Sequence, residues 1–138
     1  MIMEKRKYLA TLCSILMLSA CESRILDIQA AKVNVVDDKV CLQVPAKSHE
    51  YLNGIQIVEA DKENEAFRKY FDVNESQPLL LSQDSCVPDF GYPFKEGHTY
   101  GFLTETFFKG EGQSGGRNFS SSFRLYRESG VLKVEQIR

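Results

Sequence analysis

The sequence predicts a small all-β domain, an immunoglobulin-like antiparallel β-sandwich with at most one short helix. Two observations lead to this prediction. Six or seven short segments rich in β-branched and aromatic residues recur, with turn residues between them at intervals of roughly ten. Almost none of the 138-residue chain shows the helical period of apolar side chains. This pattern favours a sandwich or barrel of short strands over a helical or α/β fold.

The first predicted strands form a hairpin. Lys32 to Val36 and Lys39 to Val44 are rich in Val and flank a turn at Asp37-Asp38. Three apolar side chains share one face of the second arm: Val40, Leu42 and Val44. Because successive side chains of a strand point to opposite faces, Cys41 lies on the outer face if these three face the core.

The middle of the chain is less regular. Tyr51 to Glu59 is predicted as a strand, with a turn or a bulge at Asn53-Gly54. Glu63 to Phe71 has apolar residues at i, i+1, i+4 and i+5 among charges, which favours a short amphipathic helix or helical turn. Leu79 to Ser82 resembles a short buried strand. Cys86 to Gly97 is interrupted by Pro and Gly and is predicted to be irregular.

The last third of the chain has the clearest strand pattern. His98 to Phe108 is predicted as a strand, and a glycine-rich loop follows at Gly110 to Arg117. Phe119 to Arg127 alternates between apolar and polar residues, as a half-buried antiparallel strand does. Glu128-Ser129-Gly130 is predicted as a hairpin loop that leads into a final strand, Val131 to Ile137.

Residues 1–20 have the composition of a secretory signal peptide. Glu4 to Lys7 carries three positive charges, and Tyr8 to Leu18 has no charge and is too short to span a membrane. Leu18-Ser19-Ala20-Cys21 matches the bacterial lipobox, in which the Cys thiol receives a lipid and the chain is cleaved before it. The alternative is a buried Cys21 in an N-terminal helix.

The lipobox predicts the organisation of the mature chain. We expect a lipidated tether at 21–31 and a β-sandwich domain at 32–138. Two or more acyl chains on Cys21 hold a protein on a membrane stably. Glu22 follows the Cys instead of Asp, which favours the periplasmic face of the outer membrane over the inner membrane.

The remaining cysteines predict a disulfide. Cys13 leaves with the signal peptide and Cys21 carries the lipid, so Cys41 and Cys86 are left in an oxidising compartment. The alternative is two buried free thiols. Two distant Cys and two His do not have the spacing of a zinc site, so we expect no metal and no cofactor.

Motifs that carry chemistry do not predict an enzyme. Gly112 to Gly116 matches G-x-S-x-G, but a nucleophile elbow needs a strand, a helix and a large α/β sheet around it. His49 and His98 are the only mature histidines, and neither has a Ser or Cys partner that spacing indicates. We therefore expect a binding protein and not a catalyst.

Aromatic residues are the better candidates for partner binding. Ten of the fourteen Phe and Tyr in the mature chain fall between Phe90 and Tyr126, and most are expected in the core. The aromatic residues that are not expected in the core lie near the Gly110 to Arg117 loop, which Lys109 precedes. Aromatic residues together with Arg are typical of protein-binding hot spots. The candidate partner-binding residues are Tyr92, Phe94, Phe107, Phe108 and Arg117.

Charge narrows the class of partner. From Cys21 onward the chain has 18 acidic and 14 basic side chains, a formal net charge of −4. This favours a basic protein over nucleic acid or anionic lipid, both of which an acidic domain repels.

Two segments resemble a known family. Val40-Cys41-Leu42-Gln43-Val44-Pro45 and Cys86 to Gly97, followed by Tyr100, are similar to the C-L-x-V/I-P and C-L/V-P-x-F-G-Y-x-F-x-x-G segments of small enterobacterial periplasmic lipoproteins assigned to type VI secretion immunity. The resemblance implies a cell-envelope protein that binds and neutralises a toxic effector. Two other hypotheses are a structural or assembly lipoprotein of a secretion system or pilus, and an envelope hydrolase.

Overall fold

The computed structural model describes residues 27–72, 76–109 and 115–137. The predicted signal peptide, Cys21 and most of the glycine-rich loop lie outside these residues. In the described part of the chain, no helix is long and apolar enough to cross a membrane. The strands are β1 (Ile28–Ala30), β2 (Lys32–Val36), β3 (Lys39–Gln43), β4 (Glu50–Glu59), β5 (Phe67–Tyr70), β6 (Thr99–Phe108), β7 (Asn118–Glu128) and β8 (Val131–Gln136).

Six strands form a mixed sheet around β7. The order is β1-β7-β6-β4-β5, and β8 also pairs with β7. One edge of β7 is occupied by β6, and the other is shared by β1, beside Asn118–Ser120, and β8, beside Phe123–Glu128. β1 is parallel to β7, whereas the other pairs in the sheet are antiparallel. The chain before β1 therefore enters at the end of the sheet where β7 begins.

The core lies on one face of this sheet. The antiparallel hairpin β2–β3 and the irregular segment 81–98 cover that face. The sheet contributes Leu52, Ile55, Ile57, Tyr100, Phe102, Phe119 and Phe123, and the covering layer contributes Ala31, Val33, Leu42, Val44, Ala46, Leu81 and Val87. The large rings of Phe119 and Phe123 are completely buried. This burial of apolar surface is the main stabilising contribution.

The mostly β architecture is confirmed, but the immunoglobulin-like antiparallel sandwich is corrected. The second layer contains one hairpin and an irregular segment, and β1 makes a parallel pair. Residues 28–30, predicted as tether, form β1, and Ala31 is only 2% exposed. Three residues of ordinary composition carry no periodic signal, so this strand depends on pairing with β7 and not on local pattern.

The prediction of a short helix or helical turn over 63–71 is confirmed only at Glu63–Glu65 and is wrong for the residues that follow. The chain forms a 3-10 turn at Glu63–Glu65 and then β5, which pairs with β4. Phe67, Lys69 and Phe71 alternate along one face, and the ammonium of Lys69 lies 5.9 Å from the centroid of the Phe71 ring. Lys69 lies on the same face as Phe67 and Phe71 but is charged and exposed, which obscured the period of two. A nine-residue helix is marginal alone, whereas pairing gives the edge strand its hydrogen bonds.

Several local predictions are confirmed. β2 and β3 form the predicted hairpin, and the register shift between Leu52 and Gly54 is a bulge at Asn53. Ser129 and Gly130 both have positive φ in the turn between β7 and β8. Leu79 to Ser82 contributes a single bridge, Leu80 to Tyr51, where a strand was predicted.

The Cys41–Cys86 disulfide is present and lies outside the centre of the core. Leu42 and Val44 face the sheet, so Cys41 points to the opposite side of β3. The Val87 amide donates to the Leu42 carbonyl at 2.7 Å. The bridge therefore fixes the irregular segment against β3, as the alternation of side chains predicts.

Candidate interaction surface

A buried ion pair closes the end of the sheet at which β1 begins. Glu50, the first residue of β4, is completely buried. Arg117, just before β7, places its Nη2 2.5 Å from Glu50 Oε1 and donates from Nε to Oε2 at 2.9 Å. The Thr106 hydroxyl of β6 donates to Oε2 at 2.6 Å, and the Lys47 amide donates to Oε1 at 2.9 Å. This carboxylate therefore joins three neighbouring strands.

These contacts decide the protonation of the carboxylate. Burial by itself would raise the pKa of Glu50, but the hydrogen bonds from Arg117, Thr106 and the Lys47 amide outweigh burial and hold the pKa below its ordinary value of 4.5. Glu50 is thus a charged, fully satisfied group. Its role is to hold β4, β6 and β7 together.

Three of the predicted partner-binding residues lie at this end of the sheet. We call it the β1 end and define it as residues 27–28, 45–50, 79–84, 107–109 and 115–118. Arg117 is bound to Glu50, and its side chain is 14% exposed. Phe107 is 3% exposed and stacks on Tyr51 at 5.6 Å between ring centroids. Phe108 is half-buried. The contacts of Arg117 and Phe107 are intramolecular and leave little surface for a partner.

The other two predicted residues, Tyr92 and Phe94, lie together at the opposite end. Their rings meet edge to face at 4.8 Å, and Phe94 also contacts Tyr100 at 5.0 Å. Both side chains are half-buried and pack against the core. They also line an open cleft of about 340 Å³. The structure therefore divides the five candidates between two ends of the molecule.

The cleft lies between the β2–β3 turn, the irregular segment and the β7–β8 hairpin. Its apolar lining consists of Val40, Tyr92, Pro93, Phe94, Leu125 and Leu132, and its charged lining of Asp38, Lys39 and Asp89, with Gly91 beside them. Arg127 links one lining residue, Asp38, to Glu96, because its Nη1 lies 3.2 Å from Asp38 and its Nε lies 2.6 Å from Glu96. An apolar floor with charged groups at the rim suits an apolar side chain of a protein partner.

Acidic side chains concentrate around this cleft. We use the term acidic end for residues 37–39, 59–65, 89–98 and 127–130, where β4 and β7 end and β6 begins. It contains nine acidic and four basic residues: Asp37, Asp38, Glu59, Asp61, Glu63, Glu65, Asp89, Glu96 and Glu128 against Lys39, Lys62, Lys95 and Arg127. The described residues as a whole contain fifteen acidic and twelve basic residues. The negative charge of the domain is therefore localised.

His98 lies at the edge of the acidic end and is engaged by a carboxylate. Its Nδ1 lies 2.5 Å from Glu59 Oε1, and Lys62 Nζ lies 3.1 Å from Oε2. The hydrogen bonds from Lys62 and then His98 lower the pKa of Glu59. His49, the other candidate base, is exposed in the turn before β4 at the β1 end. The two histidines are thus at opposite ends and form no common site.

A known protein family matches most of this domain. The model of a family described as a domain of unknown function, DUF7480, matches residues 28–128. The chain belongs to the DUF7480 family. The chain has no significant match to a curated protein or to a solved structure. The DUF7480 match begins with the first residue of β1 and ends with the last residue of β7.

Sequence reasoning missed two polar clusters of the DUF7480 domain. Glu50 precedes the predicted strand Tyr51 to Glu59, but it shares the face of β4 with Leu52, and that alternation could have indicated burial. The bridge from Arg127 to Asp38 has no such signal because 89 residues separate the two. Within the described ranges of the DUF7480 domain, no group of three or more His, Cys, Asp or Glu is placed to hold a metal ion.

Proposed function

We propose that this chain is a lipid-anchored periplasmic binding protein that presents its acidic end to a basic protein partner, and that the partner is a toxic effector of type VI secretion. The observation that carries the proposal is the placement of the acidic end opposite the point where the chain enters the domain. The resemblance of the Val40–Pro45 and Cys86–Gly97 segments to immunity lipoproteins supports the class of partner. The role is non-catalytic.

The lipobox supports the anchor. Acyl chains on Cys21 contribute about 0.8 kcal/mol per buried CH₂, so two or more chains give stable attachment to the membrane. Glu22 supports the periplasmic face of the outer membrane. The Cys41–Cys86 disulfide fits an oxidising compartment, and it leaves neither of these thiols available as a nucleophile.

The geometry of β1 then gives the domain an orientation. Seven residue steps separate Cys21 from Ile28, and an extended chain spans at most about 3.6 Å per residue, so the β1 end stays within about 25 Å of the anchor. β7 has eleven residues and extends roughly 35 Å away from that end. In the anchored protein that we propose, the acidic end can therefore extend farther from the membrane than the β1 end.

Charge and shape at the acidic end support a basic protein as partner. An excess of negative charge at one end attracts and orients a basic surface during encounter. The cleft of about 340 Å³ offers an apolar floor for one side chain of that partner. An immunity protein needs this combination of fast association and a well-packed contact in order to occlude a toxin.

Competition between bacterial strains tests the proposal. A strain that lacks this gene should lose to an otherwise identical attacker that fires the secretion system, and the intact gene should restore survival. Equal survival with and without the gene would contradict an immunity role. If the mutant survives but fails to assemble a secretion system or pilus, the assembly hypothesis replaces it.

Charge-reversal variants test the position of the partner surface. Glu63→Lys with Glu128→Lys reverses two charges at the acidic end and should abolish the restored survival. Asp84→Lys with Glu135→Lys makes the same change in net charge outside the acidic end and should preserve it. Equal loss in both variants would show that net charge, and not the acidic end, is what matters.

A further inference from the structure

The β1 end exposes large apolar side chains. Ile28 is 50% exposed, Leu79 is 38% exposed and Leu80 is 59% exposed. Single exposed apolar residues are common on protein surfaces, but Leu79 and Leu80 are adjacent and lie at the end where the chain enters. These two leucines are therefore candidates for contact with a surface outside the domain.

The two leucines are held in place by the sheet. The Leu52 amide donates to the Leu79 carbonyl at 2.9 Å, and the Leu81 amide donates to the Glu50 carbonyl at 2.9 Å. Leu80 forms a bridge with Tyr51. This segment continues the edge of the sheet beside β4, so its side chains are displayed from a fixed backbone.

Basic side chains accompany the leucines. Lys47 and Leu80 line the same shallow depression. The Lys109 amide donates to the His49 carbonyl at 3.4 Å, which places Lys109 beside the turn that carries Lys47. Both lysines are exposed.

The β1 end differs in charge from the opposite end. Asp27 and Asp84 balance Lys47 and Lys109, and Glu50 balances Arg117, so the described residues of this end have no net charge. The acidic end has an excess of five negative charges. An anionic surface therefore repels the β1 end less than it repels the acidic end.

We propose that the β1 end rests on the phospholipid surface of the membrane that carries the anchor. Leu79 and Leu80 enter the boundary between headgroups and acyl chains, and Lys47 and Lys109 lie against lipid phosphates. This inference rests on the proposed lipid on Cys21, because the short connection from Cys21 to Ile28 is what keeps this end near the bilayer. Contact with the surface fixes the orientation that the tether alone only limits.

A tryptophan reporter tests this contact because the chain contains no Trp. Leu80→Trp places the reporter at the β1 end. Val131→Trp is the matched control, since Val131 is 56% exposed at the opposite end. The lipidated full chain is reconstituted in vesicles of phosphatidylethanolamine and phosphatidylglycerol that contain brominated phospholipid. We expect a blue shift and loss of most emission from Leu80→Trp, and unchanged emission from Val131→Trp.

Each other outcome overturns the inference in a distinguishable way. Equal quenching of the two variants, or none, would show that the domain does not rest on the β1 end although the anchor holds. Shielding of Leu80→Trp from aqueous iodide without quenching by the brominated lipid would show that the leucines contact a second copy of this chain and not the lipid. Failure of the wild-type chain to sediment with the vesicles would overturn the anchor and this inference together.

The lysines are tested in the same vesicles. Lys47→Glu with Lys109→Glu in the Leu80→Trp chain should reduce quenching, whereas Lys39→Glu with Lys95→Glu at the acidic end should not. Identical quenching in both double variants would show that Lys47 and Lys109 do not contribute to the contact with lipid.

Discussion

The guanidinium of Arg117 lies against the completely buried carboxylate of Glu50, with Nη2 2.5 Å from Oε1, although 67 residues separate them in the chain. The same Nη2 donates to the Pro45 carbonyl at 2.9 Å. One ion pair thereby joins the start of β4, the start of β7 and the connection from the hairpin. The pair therefore holds the β1 end of the sheet against the chain that follows the β2–β3 hairpin.

Removal of one partner from this pair should be costly. Arg117→Met leaves Glu50 buried without its cation, and we expect a loss of about 3–5 kcal/mol in the free energy of unfolding. Lys133→Met is the control, because its 3.4 Å pair with Glu128 is exposed and should contribute about 1 kcal/mol or less. Urea unfolding at neutral pH measures both. Equal losses would contradict the assigned importance of the buried pair.

Acid should destabilise the fold through Glu50. Its pKa is lowered in the folded protein, so its contribution is fully present above its unfolded value of 4.5 and is lost as the pH falls through the folded pKa. Glu59 acts in the same direction. Urea midpoints from neutral pH to below 4.5 should decline in the wild type. Glu50→Gln should start lower and decline less steeply; an unchanged slope would show that Glu50 does not titrate as described.

Loss of the disulfide should destabilise the domain substantially. The bridge closes a loop with a sequence separation of 45, for which the chain-entropy estimate is about 4 kcal/mol. Cys41→Ala with Cys86→Ala should lower the free energy of unfolding by that order, and reduction should have the same effect on the wild type. Intact mass should rise by the mass of two hydrogen atoms on reduction. A mass that does not change would show that the thiols are already free.

Gly54 and Gly101 provide a matched test of close packing. The ring of Tyr70 packs directly against Gly54, where a Cβ would overlap it, whereas a Cβ at Gly101 meets nothing within 4 Å. Gly54→Ala should cost about 1 kcal/mol because the exposed ring must move. Gly101→Ala should be neutral or stabilising by up to roughly 1 kcal/mol. Thermal unfolding compares the two, and Tyr70→Ala should remove the cost of Gly54→Ala; a cost that persists would have another cause.

The sequence predicted those parts of the fold that depend on neighbouring residues. The alternation of apolar and polar residues located β7, and the paired Asp residues located the β2–β3 turn. Val40, Leu42 and Val44 share one face of the predicted strand, which placed Cys41 on the outer face. The bulge near Gly54 and the hairpin at Ser129-Gly130 also have local causes. Where Lys69 interrupted the alternation, the helical prediction was wrong, although a 3-10 turn does form at Glu63–Glu65.

The candidate site was predicted less completely. Tyr92 and Phe94 were named from composition, and they do line a cleft. Composition placed Arg117 and Phe107 beside them as equivalent candidates, although these two lie at the opposite end and make intramolecular contacts. Net charge indicated an acidic domain, but it contained no information on how nine acidic residues gather at one end.

The sequence by itself determined the existence of most strands and the match of Leu18 to Cys21 to a lipobox pattern, because each of these depends on residues close together in the chain. It also predicted a disulfide between Cys41 and Cys86, by elimination of the other two cysteines. Only the tertiary structure decided that β1 pairs in parallel with β7, that Glu50 meets Arg117, and that the acidic end lies opposite the entry of the chain. The physical reason is that these relationships are set by strand pairing across many residues, where the burial of a common core selects one register and one order from many that are locally equivalent.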